Sequence, residues 1–172
     1  MLADIGAFGR LAIVLTIVDR MASILLFPVI ARAPTGARLI SLILRIHFCY
    51  LFAMGCVLLS GWLFPEYWII LLGQKYANLT PYVWMMFLSS ILMNAAGFAF
   101  LTMSVRGLTT KQAYSVVFVI AVQVIYLSFI GISDFKSVLV FSVMTCMAHF
   151  VYQYSLLFLR MGDLGKLPAA AQ

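Results

Sequence analysis

Long apolar runs alternate with short polar interruptions along the chain. Five windows are long enough to cross a hydrocarbon layer, which takes about 20 mostly apolar residues in a helix. They fall near residues 5–31, 37–63, 80–104, 110–131 and 136–160. The pattern predicts an all-α integral membrane bundle, a single unit over residues 1–172 with about five transmembrane helices. Between the second and third runs, residues 64–84 read FPEYWIILLGQKYANLTPYVW. Pro65 is placed to start a short helix, because a first turn does not need its missing N–H. The apolar stretch EYWIILL that follows is too short to span, and Gly73 is placed to stop it. Residues 64–79 are therefore expected to form an interfacial elbow.

Polar residues inside the runs fall at helical spacing. In the first run Gly9, Ala12, Thr16, Asp19 and Ser23 share a face, and small residues there permit close helix approach. A charge near mid-span costs roughly 2.5 to 3.5 kcal/mol on insertion scales. Asp19 and Arg20 are thus expected either to line a cavity or to pair with another helix; adjacent on a helix, they point about 100° apart. The segment PVIARAPTG, from Pro28, is expected to turn the chain. In the second run Arg38, Ser41, Arg45, Cys49, Ala53, Cys56 and Ser60 form a stripe. Arg45 begins about 10 Å inside its helix at roughly 1.5 Å per residue. It either snorkels to the headgroups or stands at the mouth of a polar pathway that attracts an anion. His47 points away from that stripe and reads as a packed, neutral side chain. The third run places Ser90, Asn94 and Gly97 together, and the fifth Ser142, Cys146, His149 and Gln153. Asn94, His149 and Gln153 are candidates for hydrogen bonds between helices, and His149 also for carrying a proton. The fourth run, whose one strongly polar interior residue is Gln123, reads as lipid-facing.

Composition agrees with a membrane protein and narrows the function. The 172 residues are 65% hydrophobic and 9% charged, where soluble domains carry about 25% charged residues. The net charge of +6 is spread singly over the window ends, which speaks against a nucleic-acid surface. Loops carrying Arg32, Arg38, Arg106, Lys111, Arg160 and Lys166 alternate with loops carrying Arg10, Lys75 and Lys136 opposed by Asp4, Glu66 and Asp134. Basic loops stay cytoplasmic, so the N-terminus is expected outside and the C-terminus in the cytoplasm. Trp62, Trp68 and Trp84 then fall at the outer boundary, as an aromatic belt does. The start, MLADIGAFGR, lacks the pattern of a cleaved signal peptide. An odd number of spans starting outside is expected of a piece of a larger bundle. Cys49, Cys56 and Cys146 lie in apolar windows without metal-ligand spacing and read as small hydrophobes. Asn78, Leu79 and Thr80 form an N-x-T acceptor, pressed against the membrane and followed by Pro81. No nucleophile elbow, phosphate loop, HExxH or carboxylate pair occurs, so neither an enzyme nor a bound cofactor or metal is expected.

The order of these features carries a resemblance. IGAFGRLAIV opens a helix that closes on FPVIAR; a second helix follows, and LFPEYWIILLGQKYANLTPYVW leads into a third. This resembles the polysaccharide flippases, the O-antigen and exopolysaccharide transporters related to the multidrug and toxic compound extrusion family. A short apolar segment ending in a glycine and then a tyrosine, here Gly73 and Tyr76, follows an outer helix end in those proteins. The resemblance covers residues 5–160 and matches the last five helices of such a transporter, without the first bundle. It implies polysaccharide or lipopolysaccharide biosynthesis: flipping of a lipid-linked oligosaccharide across the bacterial inner membrane, with cavity basic residues receiving the diphosphate. Arg20 fits that role first and Arg45 second, with Asp19, Asn94 and His149 as further pathway residues. The implied partners are membrane lipids, the lipid-linked oligosaccharide, and either a missing N-terminal half or further copies of the chain. A non-transporting membrane subunit or assembly partner, whose polar stripes only pack helices, is the alternative.

Overall fold

The computed structural model describes residues 2–34 and 36–164; Lys166 lies outside the described residues. In hydrocarbon every backbone N–H and C=O must be paired within the protein, and the apolar runs accordingly become helices. These are α1 (Leu2–Arg32), α2 (Ala37–Leu63), α3 (Pro65–Leu72), a 3-10 segment (Gln74–Tyr82), α4 (Val83–Ser104), α5 (Tyr114–Phe129), α6 (Phe135–Leu159) and α7 (Met161–Leu164). No strand occurs among the described residues. The chain is an all-α bundle with four helical stretches long and apolar enough to cross a membrane: Gly6–Arg32, Ala37–Leu63, Gln74–Ser104 and Phe135–Leu159. The fourth expected span is shorter than its apolar window. Lys111 takes a left-handed φ of 74° and Gly131 one of 70°, which trims α5 to 16 residues.

The elbow is built as its residues dictate. Pro65 occupies the first turn of α3, and Gly73, at φ 100°, closes it by donating its N–H to the carbonyls of Ile69 and Ile70. The elbow then runs on as 3-10 helix to Tyr82, so α4 starts at Val83 rather than near residue 80. α1 continues through Pro28 to Arg32, and the chain bends only after it, at Ala33 and Gly36. Arg106 supplies what the end of α1 lacks: its Nη2 donates to the carbonyls of Ile30 and Ala33 at 2.6 and 2.7 Å. The final carbonyls of a helix need such an outside partner.

α4 is the centre of the packing, with 56% of its apolar window buried against 17, 22 and 11% in the other three spans. α6, α1 and α2 all pack on it, and α5 packs on α6. Phe87, Phe98, Val83 and Met103 of α4 are fully enclosed. α2 approaches α4 closely at Gly61, where a Cβ would lie 2.3 Å from Phe87 Cδ2. Trp68 of α3 covers the same ring edge-on at 4.8 Å. Helix directions follow from the ends. Phe135 meets Phe8 at 5.9 Å and Tyr82 at 5.5 Å, while Arg106 ties the far end of α1. α1, α4 and α6 therefore run one way, α2 and α5 the other. Arg32, Arg38, Arg106, Lys111 and Arg160 gather at one end; Arg10, Lys75 and Lys136 gather at the other with Asp4, Glu66 and Asp134.

Two predictions follow from this packing and capping. Gly61→Ala overpacks the α2–α4 contact and should lower stability by about 1–3 kcal/mol, read as a lowered thermal midpoint in detergent; an unchanged midpoint would show that the helices are not held at this separation. At the start of α6, Ser137 N–H donates to Asp134 Oδ1 at 2.8 Å and Asp134 N–H to Ser137 Oγ at 3.0 Å, a capping box. The backbone N–H and hydroxyl of Ser137 hold the Asp134 carboxyl below the usual carboxylate range. Its contribution is then complete above the unfolded value, near 3.9, and is lost as pH falls through the lower folded value. Amide exchange in the first turn of α6 should accelerate below about pH 4 in the wild type but not in Asp134→Asn, which caps without titrating.

Candidate functional site

Two polar stripes read from the sequence meet in the bundle. α4 contributes Ser89, Ser90, Met93, Asn94 and Gly97, and α6 contributes Ser142, Cys146, His149 and Gln153. Because α1 packs on α4 and α5 on α6, the two stripes form the floor of a concave face with α1 and α5 as its walls. Two adjoining clefts share Met93. One, of about 220 Å³, is lined by Thr16, Ser89, Ser90, Asn94, Ser142 and Cys146. The other, of about 310 Å³, is lined by Ala96, Gly97, Phe100, Gln112, Ser115, His149 and Gln153.

The hydrogen bonding of this face is incomplete in a specific way. Thr16 donates to Ala12 O and Ser89 to Met86 O, each at 2.9 Å. These hydroxyls spend their protons within their own helices and present lone pairs outward. Asn94 Nδ2, Gln112 Oε1 and Gln153 Oε1 are buried atoms without a protein partner, and Gln153 is only 5% exposed. The expectation that Asn94 and Gln153 bond between helices is not met at these atoms. The clefts themselves are lined by hydroxyl, amide, thiol and imidazole side chains. Among the described residues no three His, Cys, Asp or Glu side chains gather where a metal ion would sit.

The remaining sequence candidates divide between core and surface. Asp19 turns inward, where Tyr50 donates to its Oδ1 at 2.6 Å. It contacts another helix through a phenol rather than through a cation. Tyr50 stacks on Phe98 with centroids 4.4 Å apart and planes 5° off parallel. His47 is buried, as expected, edge-on to Phe98 at 5.0 Å and to Tyr154 at 5.8 Å, with Nδ1 2.9 Å from Ile43 O. Arg20 follows Thr16 by one turn, so it leaves α1 on the side that walls the polar face, and it is exposed there. Arg45 is exposed on another side of the bundle, at a groove of about 420 Å³ between α1 and α2 that is otherwise lined by apolar groups, Cys49 and Tyr50. Arg38, Ser41, Cys49, Ala53 and Cys56 share that exposed side of α2. Two of the three cysteines are therefore on the surface rather than packed. Asn94 and His149 line the two adjoining clefts, while Arg20, Asp19 and Arg45 line neither.

Sequence reasoning missed Tyr50, Gln112 and Ser115. Tyr50 follows His47 by three residues and flanks the polar stripe, at the groove it shares with Arg45 and Cys49. Gln112 falls at the start of the fourth apolar window, whereas the turn at residues 105–113 folds it back over α4, its Nε2 3.7 Å from Met103 Sδ.

Asp19 is 9% exposed and depends on one phenol. Tyr50→Phe should destabilise the bundle by about 1–3 kcal/mol, the cost of leaving a buried acceptor unpaired. Asp19→Leu combined with Tyr50→Phe should recover most of the loss, because neither partner is then stranded; equal losses in single and double variants would show that the pair contributes nothing beyond packing. No family model matches this chain, and neither does any curated protein or solved structure.

Proposed function

We propose that this chain supplies part of the transport pathway of a polysaccharide flippase, carrying a lipid-linked oligosaccharide across the bacterial inner membrane. The carrying observation is the polar lining of the clefts of membrane-spanning α4 and α6, with Ser89, Ser90, Asn94, Ser142, His149 and Gln153. Hydroxyl, amide and imidazole groups between them donate and accept, so such a wall favours a ligand that does both. Sugar hydroxyls do both. Arg20, exposed on α1 one turn after the cleft residue Thr16, supplies a cation for the diphosphate that joins sugar to lipid. The order of motifs around the elbow supports the same reading. The gathering of Arg32, Arg38, Arg106, Lys111 and Arg160 at one end supports a cytoplasmic location for that end, with the N-terminus outside. A partner half, or further copies of the chain, completes the pathway.

One observation favours the alternative of a non-transporting subunit. The polar stripe of α2, with Arg45, faces out of the bundle, as a packing surface for another protein would. Arg20→Ala in the transporter that contains this chain separates the two readings. Loss of surface polysaccharide at normal protein abundance, restored in part by Arg20→Lys, is the expected result. Unchanged polysaccharide removes Arg20 from the pathway, and loss of the protein itself favours the assembly reading.

A further inference from the structure

At the basic end of the bundle lies a second site, apart from the polar face between α1 and α5. A pocket of about 570 Å³ opens between the turn that follows α4 and the C-terminal end of α6, lined by Lys111, Tyr152, Ser155, Leu159, Arg160 and Asp163. Its backbone is strained at one point. Among the described residues Lys111 is the one non-glycine residue with a positive φ, at 74°. A left-handed conformation costs a residue with a Cβ roughly 1–2 kcal/mol, and such outliers cluster where function fixes a side chain. The surroundings hold Lys111 there. Tyr152 donates its hydroxyl to the Lys111 carbonyl at 2.5 Å and is braced by Phe118 of α5 at 5.9 Å. The strained backbone thus sets Lys111 at the wall of a pocket that Arg160 and Ser155 also line. Leu159, 82% exposed, and Phe158, 59% exposed, continue from the pocket along the outside of α6.

We infer that this pocket binds the phosphate of an anionic glycerophospholipid, with Lys111 and Arg160 as counter-charges and the acyl chains lying along Phe158 and Leu159. Basic pockets between transmembrane helices take such headgroups. The adjoining apolar strip distinguishes a lipid from a free phosphate compound, which has nothing to place there. Asp163 opposes the anion at the rim and moderates its retention. The inference is independent of the transport reading, since neither Lys111 nor Arg160 lines the face between α1 and α5.

The purified protein, exchanged into mixed micelles with phosphatidylglycerol or phosphatidylcholine, tests this by native mass spectrometry of retained lipid. The wild type should keep phosphatidylglycerol preferentially. Lys111→Gly and Arg160→Gln should each reduce retention about fivefold, the equivalent of one cation at a membrane surface, and Asp163→Asn should raise it. Lys111→Gly guards against misfolding, because glycine takes this φ without strain and should melt no lower than the wild type. Equal retention of the two lipids, or unchanged retention in Lys111→Gly, overturns the proposal. Displacement by soluble glycerol phosphate at equal concentration overturns the lipid assignment in favour of a free phosphate compound.

Discussion

The ring of Phe98 is the contact on which the other helices depend. It is 1% exposed and touches Phe27 of α1 at 5.2 Å, His47 of α2 at 5.0 Å and Tyr50 of α2 in a parallel stack. Through His47 the cluster reaches Tyr154 of α6. Lipid is as apolar as a leucine side chain, so helices in a bilayer associate through packing and hydrogen bonds rather than by escaping water. An aromatic hub touched from α1 and α2, and linked to α6 through one imidazole, suits that requirement. It also fixes the depth at which α1, α2 and α6 cross α4. The Asp19 carboxylate is brought to Tyr50, and the polar stripes of α4 and α6 are brought side by side, because the hub sets their register.

Polar groups are sorted by what each one can complete. Most hydroxyls bond to carbonyls of their own helix, as Thr102 does to Phe98 O and Ser128 to Val124 O, and need nothing further. Gln123 reaches Thr145 across the α5–α6 contact at 3.4 Å. Asp19 and Arg106 each find one dedicated partner region in α2 or α1. The unpaired buried atoms among the described residues fall in two places: His47 Nε2, Tyr154 Oη and the remaining Arg106 nitrogens in the packed interior, and single amide atoms of Asn94, Gln112 and Gln153 behind the polar face.

The helices and the elbow were legible because their signals are local. An apolar run of 27 residues, a proline at a first turn and a glycine after a last one each act within a few residues. The shared face of α4 and α6 was half legible: period-3.6 spacing put Asn94 with Ser90, and His149 with Gln153, but spacing within one helix says nothing of which helix lies opposite. Asp19 shows that limit most clearly. Its insertion cost pointed to a cavity or a cation, and the partner proved to be a tyrosine 31 positions away, on a face that the sequence marks only as aromatic. Arg45 shows the reverse case, since a regular stripe of polar residues on α2 faces away from the bundle while the apolar side carries the contacts. The turn after α4 was expected, but its extension to residue 113 was hidden at the start of an apolar window, because the left-handed φ that delays α5 falls on Lys111 and a lysine gives no such warning.

The brevity of α5 has a consequence for the lipid around it. Sixteen residues rise about 24 Å, several Å less than a typical hydrocarbon core of about 30 Å. A bilayer meets a short span by thinning beside it. Headgroups and water on that flank consequently descend toward the level of His149 and Gln153, which line the cleft against α5. The side of the bundle with the shortest wall is thus the side beside which the hydrocarbon layer is thinnest.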